Sequence, residues 1–188
     1  LMLDTVVPAE RDADVTLLYQ TLNLKDINAG ADVSTITKDN NTLHIRHLAP
    51  RFMKAEAVET PHYLFTLRNE SNLEREGMLT VTARTNGVPM VMANLLTTTA
   101  GGAPGFTATP GQGCMSGVAE GVPFAFNTRP GNVYTVNGMT TDAVAVAGEA
   151  SSPFVAMAKV FKNGASLVME ATNPVTFEAG PEGFKYNT

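Results

Sequence analysis

Three histidines, one cysteine and a scatter of arginines are the side chains in this sequence best suited to proton transfer, metal ligation or anion binding. His44 and His47 stand three positions apart in Leu43-His44-Ile45-Arg46-His47, and in an extended segment an odd separation sends side chains to opposite faces. The pair therefore does not chelate one ion. His62, after Pro61, opens a different segment. A zinc site needs three or four converging ligands, so no metal or cofactor site is expected, and each imidazole reads as structural. His44 falls on the polar face with Arg46, where it is expected to be solvated. His47, at a strand end before Leu48-Ala49-Pro50, reads as partly buried and hydrogen-bonded.

Nucleophiles are present without the partners that activate them. There is no Gly-x-Ser-x-Gly elbow. Cys114, in Gly113-Cys114-Met115-Ser116-Gly117, has no His or Lys nearby in sequence to lower its pKa, so it reads as an accessible but idle thiol. Gly111 and Gly113 do not lie between a strand and a helix, which argues against a phosphate cradle. Glu56, Glu59, Glu74, Glu76, Asp142 and Glu149 fall in turns or on polar faces, and no pair is poised for glycoside hydrolysis. No catalytic residue is assigned. The local basic group at one strand end, Arg46, His47 and Arg51, supplies the candidate substrate-binding residues.

Extended strands must position these residues. Val15, Leu17 and Tyr19 alternate with Thr16, Leu18 and Gln20. Tyr63, Phe65 and Leu67 alternate with Leu64, Thr66 and Arg68, which makes Tyr63 a core candidate. Met78–Arg84 continues the pattern, and 89–98 is an apolar run. Such runs, bounded by Gly, Asn, Asp and Pro, mark half-buried strands. Asn86-Gly87 is expected to close a hairpin between Met78–Arg84 and Val88–Leu96. Asn163-Gly164 is expected to join Phe154–Val160 to Ser166–Glu170, and Asn137-Gly138 marks a further turn. Residues 69–76 read as a solvated hairpin loop, and 50–58 has room for one helical turn. The fold class is all-β, an antiparallel β-sandwich with negligible helix.

The 188 residues are read as one domain, with a mobile Gly/Pro-rich loop at about 99–117. The formal charge of -5 excludes a broad basic patch for nucleic acid and disfavours anionic membrane lipid. An acidic polysaccharide would need a local basic cluster. One cysteine excludes an internal disulfide, and no apolar run reaches membrane-spanning length. Leu1-Met2-Leu3-Asp4 reads as the middle of a strand, so a fragment of a longer chain is expected.

Leu1-Met-Leu-Asp-Thr-Val-Val-Pro-Ala, Val15-Thr-Leu-Leu-Tyr-Gln, Asn41-Thr-Leu-His-Ile-Arg-His-Leu-Ala-Pro50 and Val91-Met-Ala-Asn-Leu-Leu96 together resemble the C-terminal β-sheet region of the heparinase II/III-like polysaccharide lyases. Residues 117–126 and 165–177 are similar to the closing strands of that region. The resemblance implies a bacterial parent enzyme, periplasmic or extracellular, that cleaves uronic-acid polysaccharides by β-elimination. It also implies an N-terminal helical toroid as the partner of these sheets, carrying most of the proton transfer. Some relatives hold a structural zinc through a histidine at the position matching Tyr19, so that site is expected to be absent here. The expected role is an accessory scaffold, not catalytic alone. The alternatives are a carbohydrate-binding module, against which the lack of Trp argues, or a structural, adhesion-type sandwich with a protein partner.

Overall fold

A computed structural model describes residues 1–9, 12–21, 23–61, 75–99, 105–163, 166–180 and 183–186. The chain divides into two compact units, Leu1–Ala103 and Pro104–Thr188. Each unit gathers its own core.

The first unit holds β1 (Met2–Val6), β2 (Asp14–Thr21), β3 (Ile27–Asn28), β4 (Val33–Lys38), β5 (Asn41–Ala49), β6 (Lys54–Pro61), β7 (Arg75–Arg84) and β8 (Met90–Thr99). The one helical element among the described residues is a 3-10 turn, Leu24–Asp26. A five-stranded antiparallel sheet in the order β1-β8-β5-β4-β3 faces a three-stranded sheet, β2-β7-β6. Ile45, Met90 and Met92 from the first meet Leu79, Val81 and Ala83 from the second, so this unit is a two-layer sandwich. The alternation of β2 works as the sequence implies: Val15, Leu17 and Tyr19 pack on this core, and Thr16, Leu18 and Gln20 are exposed. At Gly77 the backbone of Asn23 and Leu24 crosses so closely that a Cβ would sit 2.6 Å from it, which only glycine avoids.

Asn86-Gly87 does not close a hairpin. Both residues take positive φ, but β7 belongs to the three-stranded sheet and β8 to the five-stranded one. The turn is therefore a crossover between layers. Leu79 and Val81 on β7 and Met90 and Met92 on β8 bury most apolar surface by facing each other across the core, and strands facing that way cannot also share a ladder. The segment 50–58 makes a turn at Arg51–Phe52 and then enters β6, with no helical turn. Tyr63, His62, Arg68 and nearly all of the loop expected at 69–76 lie outside the described residues.

The second unit holds β9 (Phe106–Pro110), β10 (Cys114–Ala119), β11 (Val122–Asn127), β12 (Tyr134–Val136), β13 (Met139–Thr141) and β14 (Ala145–Ala147). It continues with β15 (Phe154–Asn163), β16 (Ser166–Gly180) and β17 (Gly183–Tyr186). They form one antiparallel sheet, and inward side chains from β10 to β16 meet in a single core that includes Met139, Phe161 and Phe177. Phe177 meets both Phe161 and Phe184 edge to face, with centroids 5.5 and 5.0 Å apart. The stretch expected to be a loop at 99–117 contains β9 and most of β10. Its Gly, Ala and Thr residues are small enough to pair closely, and Gly117 lies against Thr107 and Ala108. Asn137 and Gly138, both at positive φ, close the β12–β13 hairpin, and β15 pairs with β16 as expected.

β15 carries register shifts around Met157 and Lys159. Met157 sits at φ 56, a conformation that bulky residues rarely adopt. Asp142, read from sequence as an ordinary surface acid, is half-buried and clamps this irregularity. Its Oδ1 accepts the backbone N–H groups of Lys159 and Val160 at 2.8 and 2.9 Å. Next to it, Thr141 donates to the Val160 carbonyl at 2.7 Å.

Candidate functional site

The five-stranded sheet turns a line of polar side chains inward. His47 on β5 lies opposite Asn94 on β8, and Ser34 on β4 lies opposite Ile45, two positions along on the same face as His47. His47 Nδ1 is 2.8 Å from Asn94 Oδ1, and its Nε2 is 2.9 Å from Ser34 Oγ. Asn94 Oδ1 can only accept, so Nδ1 carries the proton and Nε2 accepts the Ser34 hydroxyl hydrogen. Ser34 Oγ in turn accepts the Gly30 N–H at 3.3 Å. The main chain locks the same place, since the His47 N–H donates to the Asp32 carbonyl at 2.8 Å.

Hydroxyl, imidazole and carboxamide thus stand in the order of a nucleophile, its base and the group that orients the base. The arrangement is closed to chemistry. Ser34 and Asn94 are both 0% exposed, so no substrate atom reaches the hydroxyl. The His47 nitrogens are spent on holding β4, β5 and β8 together.

A second polar group borders this line. Asp4 on β1 pairs with Met92, and Met2 pairs with Asn94, which makes Asp4 and Asn94 diagonal neighbours on one face. Asp4 Oδ2 and Asn94 Nδ2 are buried and make no hydrogen bond with another protein group. From the facing sheet comes Tyr19, whose hydroxyl donates to Met2 Sδ at 3.9 Å. Burial, and secondarily the Asp4 charge, push the Tyr19 phenol up to about 12. Phenol and thioether therefore meet here, with the Asp4 carboxylate close enough to act on the phenol. Among the described residues no three His, Cys, Asp or Glu side chains come together to hold a metal ion.

The three sequence candidates are not gathered into one site. His47 points into the sandwich, and Arg46 takes the opposite face of β5 with His44, as strand parity requires. His44 is half-buried, with Nε2 3.1 Å from Thr99 Oγ1, which corrects the expectation that it is solvated. Arg51 lies in the exposed turn after β5, next to Phe52, which is 93% exposed. Ser34, Asn94 and Asp4 were not singled out from sequence. The available signal was Asn94 itself, a lone carboxamide within an apolar run.

In the second unit Cys114 is buried on β10 at 6% exposure, and burial pushes its thiol up, which corrects the expectation of an accessible thiol. The buried Tyr134 hydroxyl is pushed up too, by burial first and then by the neighbouring Cys114 and Asp142. A recess of about 530 Å³ is lined by residues including Ser152, Glu178, Phe184 and Lys185. No helix among the described residues is long and apolar enough to cross a membrane. The chain matches no protein-family model, no curated protein and no solved structure.

Proposed function

We propose that this chain is the accessory β-sheet region of a heparinase II/III-like polysaccharide lyase acting on uronic-acid polysaccharides. In this reading it supports a helical catalytic toroid and one wall of the substrate cleft, and it does no chemistry alone. The strand motifs at Leu1–Ala9, 15–20, 41–50 and 91–96 support the reading, as does an all-β architecture of antiparallel sheets.

One observation carries the scaffold role. Among the described residues, the imidazole best placed among polar groups, His47, has both nitrogens engaged by side chains that solvent does not reach. A general base must come within hydrogen-bond reach of the substrate proton it removes, and both His47 nitrogens are already engaged within the protein.

The test is an eliminative assay on the purified 188-residue chain with alginate, heparan sulfate and hyaluronan, following the ultraviolet absorbance of unsaturated uronate. No absorbance is expected. Turnover by the pure chain would overturn the scaffold role. The coding sequence upstream is expected to encode some hundreds of residues with helical periodicity, and its lack would overturn the lyase parent.

A further inference from the structure

Two buried polar atoms on the β1 side of the His47 line lack a partner among the described residues, and they are of opposite kind. Asp4 Oδ2 can accept a hydrogen bond and Asn94 Nδ2 can only donate one. Asn94 is wholly buried, and its Oδ1 is 2.8 Å from His47 Nδ1 on the β5 side. The two arms of a carboxamide diverge, so Nδ2 turns towards β1, where Asp4 stands diagonally across. Diagonal neighbours on paired strands lie about 7–8 Å apart, a span that aromatic and long side chains close and short ones do not. Aspartate and asparagine are both short, so their polar ends are separated by about the width of one small molecule.

We propose that Asp4, Asn94 and Tyr19 bind one internal water molecule, which bridges β1, β8 and the facing sheet. The water accepts the Asn94 Nδ2 hydrogen and donates one of its own to Asp4 Oδ2. Tyr19 supplies the third contact. Its hydroxyl hydrogen goes to Met2 Sδ, 3.9 Å away, which leaves the phenol oxygen to accept the second hydrogen of the water. The Asp4 charge acts on this phenol, so the two side chains stand close together. About three hydrogen bonds is the usual complement of a buried water.

The donor and acceptor set selects the occupant. A metal cation would suit Asp4 and the phenol oxygen but would meet the hydrogens of the Asn94 amide. An anion would suit the amide but would meet the Asp4 carboxylate. A proton on Asp4 would turn a donor towards a donor. A neutral molecule that both donates and accepts serves all three groups, and burial of Asp4 Oδ2 and Asn94 limits it to the size of water. The bound water continues the line Ser34, His47, Asn94 to the edge strand β1. Four of the five strands of that sheet are then joined by one run of side-chain hydrogen bonds.

The experiment is NMR cross-relaxation between water and the Asn94 side-chain amide protons in the 188-residue chain. Wild type is expected to give a cross peak of the sign that marks tightly held water. Tyr19→Phe removes one contact and the neighbouring exchangeable hydroxyl, and the peak is expected to persist, so it is not relayed through the phenol. Asp4→Leu removes the acceptor and fills the space, and the peak is expected to vanish. Asp4→Asn keeps an acceptor oxygen and is expected to keep the peak. Lack of the peak in wild type, its loss in Tyr19→Phe, or its survival in folded Asp4→Leu would overturn the proposal. Should Asp4→Leu not fold, the wild-type and Tyr19→Phe spectra still decide it. An Asn94 amide shift on exchanging sodium for potassium or calcium at constant ionic strength would give the place to a cation and overturn it as well.

Discussion

Removing the Asn94 carboxamide tests whether the His47 ring is held from both sides. In Asn94→Ala the His47 Nδ1–H loses its acceptor at 2.8 Å. An orphaned buried donor costs about 1–3 kcal/mol, and the small cavity left at a fully buried position adds roughly 0.5–1 kcal/mol. Part of this is offset, because the buried Nδ2 of Asn94 has no protein hydrogen-bond partner and disappears as well. The expected loss is about 2 kcal/mol. Ser34→Ala, which removes the hydroxyl serving His47 Nε2 and Gly30, is expected to cost about 1–2 kcal/mol. The two losses should not add. Once one support is gone the ring can turn, and the second support then holds less, so the double variant should fall short of the sum by at least about 0.5 kcal/mol. Urea unfolding followed by circular dichroism reads this as shifts in midpoint at constant slope. Additivity within about 0.3 kcal/mol, or an Asn94→Ala variant as stable as wild type, would refute a ring clamped between β4 and β8.

Three further outcomes follow from the same structure. Asp142→Ala is expected to cost about 1–3 kcal/mol, because two backbone N–H groups of the β15 irregularity lose their acceptor. Asp142→Asn, which keeps an acceptor oxygen, should lose less, and equal losses in denaturant titrations would contradict the clamp. Tyr19 ionises near 10 when unfolded but at about 12 when folded, so the unfolded state gives up its proton first as pH rises. Its contribution is complete below pH 10 and is lost as pH rises towards 12. Tyr19→Phe should therefore show a shallower fall in stability over that window, and parallel curves would count against it. Native Cys114 should react with a thiol reagent far more slowly than the denatured chain, and complete labelling on mixing would contradict its burial.

Period-2 alternation made the strands legible because it reports which face a side chain occupies, and that is local information. Val15, Leu17 and Tyr19 and the odd spacing of His44 and His47 were readable for this reason. Alternation does not report which strand lies alongside. Asn86-Gly87 carries the residue types of a hairpin, yet pairing with β2 and β6 claims β7, and the turn crosses between sheets. The stretch 99–117 failed in the opposite direction. Its small residues looked too poor to pack, but Gly117 pairs with Phe124 and Ala108, and the neighbours supply the bulk. His47 was readable as a hydrogen-bonded histidine, but its partners lie 13 and 47 positions away, and no local pattern names them. Asp142 looked like a surface acid because the backbone groups it caps lie on β15, 17 and 18 residues on.

The polar line inside the first unit answers a problem that apolar packing leaves open. A slip of one residue between β5 and β8 would turn every side chain to the wrong face, so burial alone forbids it. A slip of two residues keeps every side chain on its own face, although it would set Ile45 against polar Asn94 or Thr98 in place of Leu96. Packing therefore resists such a slip less than a slip of one. The hydrogen bonds resist it strongly, because His47 would then face Met92 or Leu96, and the buried groups of His47, Asn94 and Ser34 would lose their partners together. At about 1–3 kcal/mol for each orphaned group, the penalty rivals the whole stability of a small domain. His47 thus sets the register of β5, and the register sets where β5 ends. The turn carrying Arg51 and Phe52 begins three residues after His47, so the same hydrogen-bonded histidine determines where the two exposed side chains stand.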